Sequence, residues 1–283
     1  MVLTVNHHSV YCYTGGKPFD ATKPSIVFIH GVLNDHSVWI LQSRYLANHG
    51  YNVLAIDLPG HGKSAGNCPK TVEEAAAFTL ALLDAAGIQK AALLGHSWGS
   101  LIALHAASLA PARITHLGLL GTAFPMKVSP ALLDAALNQP LQAIDMVNTF
   151  SHSTLAPPPS LLGPGTWVHG SSKALMRHIL SGGLHSNLRE NVFHLGFTAC
   201  NQYLMAFEAV AQVKPAQTAM LFIVGKHDQM TPPKAAQALI NAAPQAKVVT
   251  LSAGHSIMAE APDACLLALC DFLKFQPSQK ASH

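Results

Sequence analysis

The chain has 283 residues, more than the common domain of about 100–150, a length that an α/β fold reaches as one core carrying an insertion. Hydrophobic residues make up 49% and charged residues 11%, which supplies a large core and excludes a disordered chain. Seventeen Lys and Arg against fourteen Asp and Glu leave a formal charge of +3 with no basic run, so nucleic acid is not an implied partner.

Residues 2–5 and 9–13 open the chain as two weakly alternating segments, expected to form an antiparallel edge. Nearly continuous apolar runs follow at 25–30, 52–57, 91–95, 116–120, 220–225 and 246–251. Runs of that length and composition predict strands covered on both faces. Helical spacing occupies 36–49, 71–87, 98–110, 233–243 and 260–274. Strand and helix alternate, which predicts the α/β class, with a mostly parallel central sheet flanked by helices. The alternation lapses between Phe124 and Val213, where helical fragments surround a Pro- and Gly-rich passage at 156–165. The expectation is a core of residues 1–123 and 214–283, with a helical cap at 124–213 inserted after the sixth strand. An insertion there would cover the carboxyl edge of the sheet, where ligands bind in open α/β folds. A large surface loop without a substrate role is the alternative.

Cys12, Cys68, Cys200, Cys265 and Cys270 form an odd set with no CxxC pair, which fits core packing in a reduced compartment. Residues 1–8 lack a basic region followed by an apolar stretch and a cleavage site. No run approaches the roughly 18 uninterrupted apolar residues of a membrane span, since the Ala-rich stretch at 75–86 is broken by Thr79 and Asp84. The expected setting is cytoplasmic, with no membrane span.

Gly95-His96-Ser97-Trp98-Gly99 fits G-x-S-x-G and lies between an apolar strand and a helical run, the context a nucleophile elbow requires. A sharp strand-to-helix turn would hold Ser97 in a strained conformation, push its hydroxyl into the cleft, and aim the helix's free N–H groups at developing negative charge. A serine hydroxyl is a weak nucleophile at neutral pH and needs a base and an orienting carboxylate. In this fold they follow in the order acid, then base, each just beyond a later strand. Asp228 and His255 stand at those places, after 220–225 and 246–251.

Four elements together resemble the α/β-hydrolase family, and the resemblance covers nearly the whole chain. They are His30-Gly31, the stretch from Asp57 to Ser64 (DLPGHGKS), the Ser97 elbow, and the pair Gly225-Lys226-His227-Asp228 and Gly254-His255. The resemblance implies that Asp228 orients His255, which serves as general base and then as general acid. It also implies an oxyanion hole from two backbone N–H groups, which register places at Val32 and Trp98. Ser rather than Asp at position 97 argues against the haloalkane dehalogenase and epoxide hydrolase branches. The stretch His30-Gly31-Val32-Leu33 departs from the HGGPG of proline iminopeptidases and from the Gly-Pro-Gly of many carbon–carbon bond hydrolases, and Leu33 stands where cofactor-free perhydrolases tend to carry proline.

The expected activity is therefore hydrolysis of a carboxylic ester of a small to medium, largely uncharged substrate through an acyl-enzyme on Ser97. No cofactor is expected, and the expected partner is a small-molecule ester. A carbon–carbon bond or lactone hydrolase using the same three residues is the alternative; its acidic substrates would call for a cap arginine, with Arg177 and Arg189 as candidates. A ligand-binding receptor on the same scaffold is a third reading. Phe150, Leu161, Leu162, Trp167, Met176 and Phe197 could line a pocket or belong to the core. His96 and His227 adjoin the key residues, but neighbours along an extended chain point elsewhere. His30 is expected to brace its loop. His7, His8, His178, His185 and His194 lack the partners that complete a zinc site, so no metal is expected. Gly60-His61-Gly62-Lys63-Ser64 ends like a phosphate-binding loop, but Asp57 stands where that pattern needs glycine.

Overall fold

Successive side chains of a strand point to opposite faces, so a run that is apolar at every position must be covered on both sides. In the computed structural model, which describes residues 1–20, 22–153, 167–182 and 190–274, the inner strands obey this rule, whereas the apolar run at 246–251, also expected to be covered on both faces, forms an edge strand with Val248 44% exposed. In β3 (Ser25–Ile29), Val27 and Ile29 enter one core and Ile26 and Phe28 the other. In β7 (Ala219–Gly225), Met220, Phe222 and Val224 join the first core and Leu221 and Ile223 the second. The Pro- and Gly-rich passage, Leu161, Leu162, His185 and Arg189 lie outside the described residues.

The remaining strands are β1 (Val2–Val5), β2 (His8–Tyr13), β4 (Asn52–Ile56), β5 (Ala91–His96), β6 (Ile114–Leu120) and β8 (Lys247–Leu251). They form one eight-stranded sheet in the order β1-β2-β4-β3-β5-β6-β7-β8. β1 pairs antiparallel with β2, and β2 with β4; the pairings from β4 to β8 are all parallel. Every strand read from the sequence is present, and the two amino-terminal ones do form an antiparallel edge.

A short 3₁₀ turn (His36–Trp39) leads into α1 (Ile40–Asn48), and α2 (Val72–Ala85) and α3 (Trp98–Leu109) follow. Thr71 caps α2 by accepting from the Glu74 N–H at 3.1 Å, a bond that supports a helix start by about 1 kcal/mol. Between β6 and β7 come α4 (Pro130–Asn138), α5 (Pro140–Ser151), α6 (Val168–Leu180), α7 (Val192–Gln202) and α8 (Ala206–Gln212). Ala206, Ala209 and Val210 of α8 belong to the same core as α3. The chain ends with α9 (Pro233–Ala242), α10 (Ile257–Glu260) and α11 (Pro262–Leu273). The single helix expected at 260–274 therefore starts at Pro262, and a separate short helix precedes it. Proline has no N–H to donate and is favoured at a first helical position.

The strand order sets the site. The chain passes from β3 outward to β4, then returns to lay β5 on the other side of β3. At such a switch point the loops leaving the two strands diverge and open a crevice at the carboxyl edge. The loop after β3 carries Gly31 and Val32, and the turn after β5 carries Ser97.

Candidate active site

β5 ends at His96 and α3 begins at Trp98, leaving Ser97 alone in the turn with φ +54°. A non-glycine residue there costs about 1–3 kcal/mol and persists only when its surroundings hold it. The Ser97 N–H donates to the Leu120 carbonyl at 2.9 Å. The glycines are needed for close approach: a Cβ on Gly95 would lie 2.0 Å from the Gly99 carbonyl oxygen, and one on Gly99 would lie 2.4 Å from the Ile29 carbonyl oxygen. Trp98, as the first residue of α3, has an N–H without an intrahelical partner, at the positive end of the helix dipole. In the facing loop, Leu33 is buried with φ +56°, which turns the backbone just after Val32.

Asp228 leaves β7 and His255 leaves β8, and their side chains meet. Asp228 Oδ1 accepts the N–H groups of Met230 and Thr231, each at 2.8 Å. Its Oδ2 accepts the Thr231 hydroxyl at 2.7 Å and His255 Nδ1 at 2.8 Å. Burial alone would raise the carboxyl pKa, but the His255 charge and the hydrogen bonds from His255 and Thr231 outweigh it and leave the pKa lowered. With Nδ1–H committed to the carboxylate, Nε2 is the acceptor nitrogen of His255.

Two cavities meet at these residues. One, of about 310 Å³, is lined by Gly31, Val32, Ser97 and His255, and by Val147, Val168 and Met176 from α5 and α6. The other, of about 240 Å³, is lined by Met126, Lys127, Leu132, Phe150 and Cys200. Ser97, Phe197, Met230 and His255 line both, so the cleft has two lobes that meet at these four residues. Of the apolar candidates, Met176, Phe197 and Phe150 line the cleft, while Trp167 is 58% exposed and lines neither lobe. Arg177 is exposed and also lines neither. Among the described residues, Lys127 is the one lysine or arginine on the cleft wall, and no Asp or Glu lines it.

His227 is exposed, as expected of a residue pointing away. His96 departs from that expectation. Its ring lies 4.8 Å from that of His255, and its Nε2 donates to the His255 carbonyl at 2.9 Å. Strand alternation stops at Ser97, whose positive φ breaks the extended path, so alternation does not carry His96 clear of the site. Burial, and next the His255 charge, pushes the His96 pKa down to about 3, which leaves a neutral ring that supports the His255 backbone. His30 is likewise pushed down to about 3, chiefly by burial and then by the His61 charge. Its Nδ1 donates to the Gly31 carbonyl at 2.8 Å while its Nε2 accepts the Leu58 N–H at 3.1 Å. Only the neutral ring can make both bonds, so His30 is the loop brace that was expected.

Asp35, His36 and Asp57 bring three possible metal-ligand atoms within 4.8 Å of one another. Three of their four carboxylate oxygens already accept hydrogen bonds. Asp57 Oδ1 accepts the His36 N–H at 2.8 Å and lies 2.7 Å from His36 Nδ1, and Oδ2 accepts the Lys63 N–H at 2.9 Å. Asp35 Oδ1 accepts the Ser37 N–H at 2.8 Å. This donor set fits a brace for the turn from Asp57 to Ser64.

Sequence reasoning missed two residues. Thr231 follows Asp228 at the spacing of a local side-chain-to-backbone turn, a signal that could have found it. Glu260 left no such signal. Buried on α10, its Oε1 accepts the Gly254 N–H at 3.2 Å and its Oε2 accepts the Ser153 N–H at 2.9 Å and the Ser153 hydroxyl. The Ser256 N–H donates to the Ser151 carbonyl at 3.0 Å, so both flanks of His255 are tied to the end of α5.

The sequence pattern of the α/β hydrolase fold family matches residues 24–262, and the chain belongs to that family. A dihydrolipoyllysine-residue acetyltransferase component of the acetoin cleaving system of Pseudomonas putida is 39% identical over 110 residues, 38% of this chain and 28% of that protein. RutD of Stutzerimonas stutzeri, which carries the name of a carbamate hydrolase, is 25% identical over 263 residues, 92% of this chain and 95% of that protein. The chain spans less than half the length of the first curated relatives it matches. An enol-lactonase from Burkholderia xenovorans has the same fold, with a TM-score of 0.77 over 97% of this chain and 100% of that one at 22% identity. Among the described residues, no helix is long and apolar enough to cross a membrane.

Proposed function

We propose that the chain is a serine hydrolase that cleaves carboxylic esters. The observation that carries this reading is the 2.8 Å bond from His255 Nδ1 to a carboxylate with four donors, on a histidine that shares both cleft lobes with Ser97. Ser97 attacks the ester carbonyl as His255 Nε2 takes its proton; Asp228 holds the tautomer and stabilises the imidazolium. The oxyanion rests on the Val32 and Trp98 N–H groups. His255 then protonates the departing alcohol, and water repeats the sequence on the acyl-enzyme.

The two lobes support an ester with an organic group on each side of the carbonyl, and their apolar walls favour a largely uncharged substrate. Residues 124–213 act as the cap, since α4–α7 supply walls to both lobes. The unbridged state of the five cysteines supports a reduced, cytoplasmic setting. The reading needs no cofactor. For the carbon–carbon or lactone alternative, the exposed position of Arg177 removes one of its two candidate anion-binding arginines.

A fluorophosphonate probe should label Ser97, and Ser97→Ala or His255→Ala should lower turnover of a short p-nitrophenyl ester by about 10³-fold or more. Near-normal turnover by a folded Ser97→Ala protein would overturn the assignment. Labelling without sustained product release would favour the receptor reading.

A further inference from the structure

The second lobe carries a charge that the proposed reaction does not use. Lys127 stands in its wall between Met126 and Val128, which also line it. The segment is fixed on either side. The Phe124 N–H donates to the Ala235 carbonyl at 3.1 Å, the Val128 N–H donates to Asn201 Oδ1 at 3.3 Å, and Ser129 Oγ caps α4 by accepting the Leu132 N–H at 3.2 Å. Met126 is buried, whereas Lys127 is exposed. The backbone is thus held in the wall, while a flexible four-carbon stem carries an ammonium that solutes can reach.

No acidic side chain of the protein answers that charge. All fourteen Asp and Glu lie among the described residues; none forms an ion pair with Lys127, and none lines either lobe. Asp228, whose neighbours Gln229, Met230 and Thr231 line this lobe, is itself buried with its oxygens taken by four donors. A cleft with one cation on its wall, no carboxylate and low-dielectric surroundings focuses a positive potential and attracts an anion. One ammonium matches a carboxylate, whereas a phosphate, with a charge of about −1.5 to −2, would be only partly met. Leu132, Met146, Phe150 and Phe197 wall the same lobe and suit a hydrocarbon chain. We propose that the second lobe takes the half of the ester that ends in a carboxylate, a hydrocarbon chain with one anionic terminus, and that Lys127 is the specificity residue that binds this terminus.

This inference rests on the ester-hydrolase reading and deepens it, adding one charged end to an otherwise uncharged substrate. The test uses the monoethyl esters of butanedioic, pentanedioic, hexanedioic and octanedioic acids, each beside its analogue with a terminal carboxamide, and the acetates of the matching ω-hydroxy acids and ω-hydroxy amides. Either half of the ester can then present the charge. Carboxylate and carboxamide differ little in shape, so the ratio of their kcat/KM values reads charge. Without a cation nearby the carboxylate is the worse substrate, because an ion loses more hydration than an amide on entering a cleft. With Lys127 in place, the carboxylate of at least one pair should be preferred by about three- to fivefold at low salt, the upper range of a solvent-accessible ion pair. Lys127→Met should bring that ratio to one or below, Lys127→Glu should lower it further, and Lys127→Arg should retain a preference. Wild-type ratios at or below one in every pair, or a preference that survives Lys127→Met, would overturn the proposal, while turnover of the carboxamide esters leaves the hydrolase reading standing. Failure to turn over any ester, neutral or charged, would overturn both. Because the wild-type ratios decide by themselves, the test does not depend on any variant folding.

Discussion

Asp228 is surrounded by four donors, two backbone N–H groups, a hydroxyl and an imidazole N–H. An Asn at this position would set its own NH2 against one of them whichever way it turned. Asp228→Asn should therefore favour the wrong His255 tautomer and lower kcat by about 10³–10⁴-fold in ester turnover, the scale known for such a change in a serine triad. Thr231→Val removes one of the four donors and leaves the others. Its expected cost is about tenfold in kcat with little change in KM, equivalent to about 1.4 kcal/mol; unchanged kcat would show that the hydroxyl contributes nothing to the pair. The contrast also marks the limit of legibility at this scale. Ser97, Asp228 and His255 could be found because a strand, a turn and a fixed chain order announce them. Thr231 leaves only a three-residue spacing from Asp228, and an ordinary side-chain-to-backbone turn at an aspartate has the same spacing.

At the scale of elements, the elbow and the His255 loop depend on backbones that nearly touch. Gly99→Ala would put a methyl group 2.4 Å from the Ile29 carbonyl oxygen, where the first turn of α3 lies directly against the end of β3. Overpacking of this kind costs about 1–3 kcal/mol or more, and urea unfolding should show at least that loss, with activity falling as the elbow shifts. Glu260→Gln tests a different link, from α10 through Gly254 and Ser153 to the end of α5. Loss of one carboxylate oxygen should leave the fold intact by circular dichroism and lower kcat severalfold while KM changes less. Equal losses in both would assign Glu260 to substrate binding instead. The elbow was legible because its glycines sit in a recognisable frame. The Glu260 link was not, because its partner Ser153 is 107 residues away.

For the whole molecule, the buried neutral histidines link stability to pH. In the folded chain, His30 and His96 are held at about 3, against an unfolded value of about 6.5. The unfolded chain binds more protons between those values, so stability is complete above about pH 6.5 and falls as the pH drops, with a slope approaching ~1.4 kcal/mol per pH unit for each ring. Asp228, whose pKa is lowered in the folded chain, contributes stability above its unfolded value near 3.9 that is lost only as the pH falls through its folded pKa. The urea midpoint should therefore fall between about pH 7 and pH 5, and a flat profile would show that neither ring is held neutral. Sequence alone determined the strand set, the α/β class, the elbow and the order of Ser97, Asp228 and His255, because those depend on local periodicity, on glycine spacing and on a fixed topology. Tertiary structure alone decided the two lobes, the exposure of Trp167 and Arg177, the contact of His96 with His255 and the Glu260 link. Each of these depends on where helices far apart in the chain come to rest on one another, and no short-range pattern encodes that.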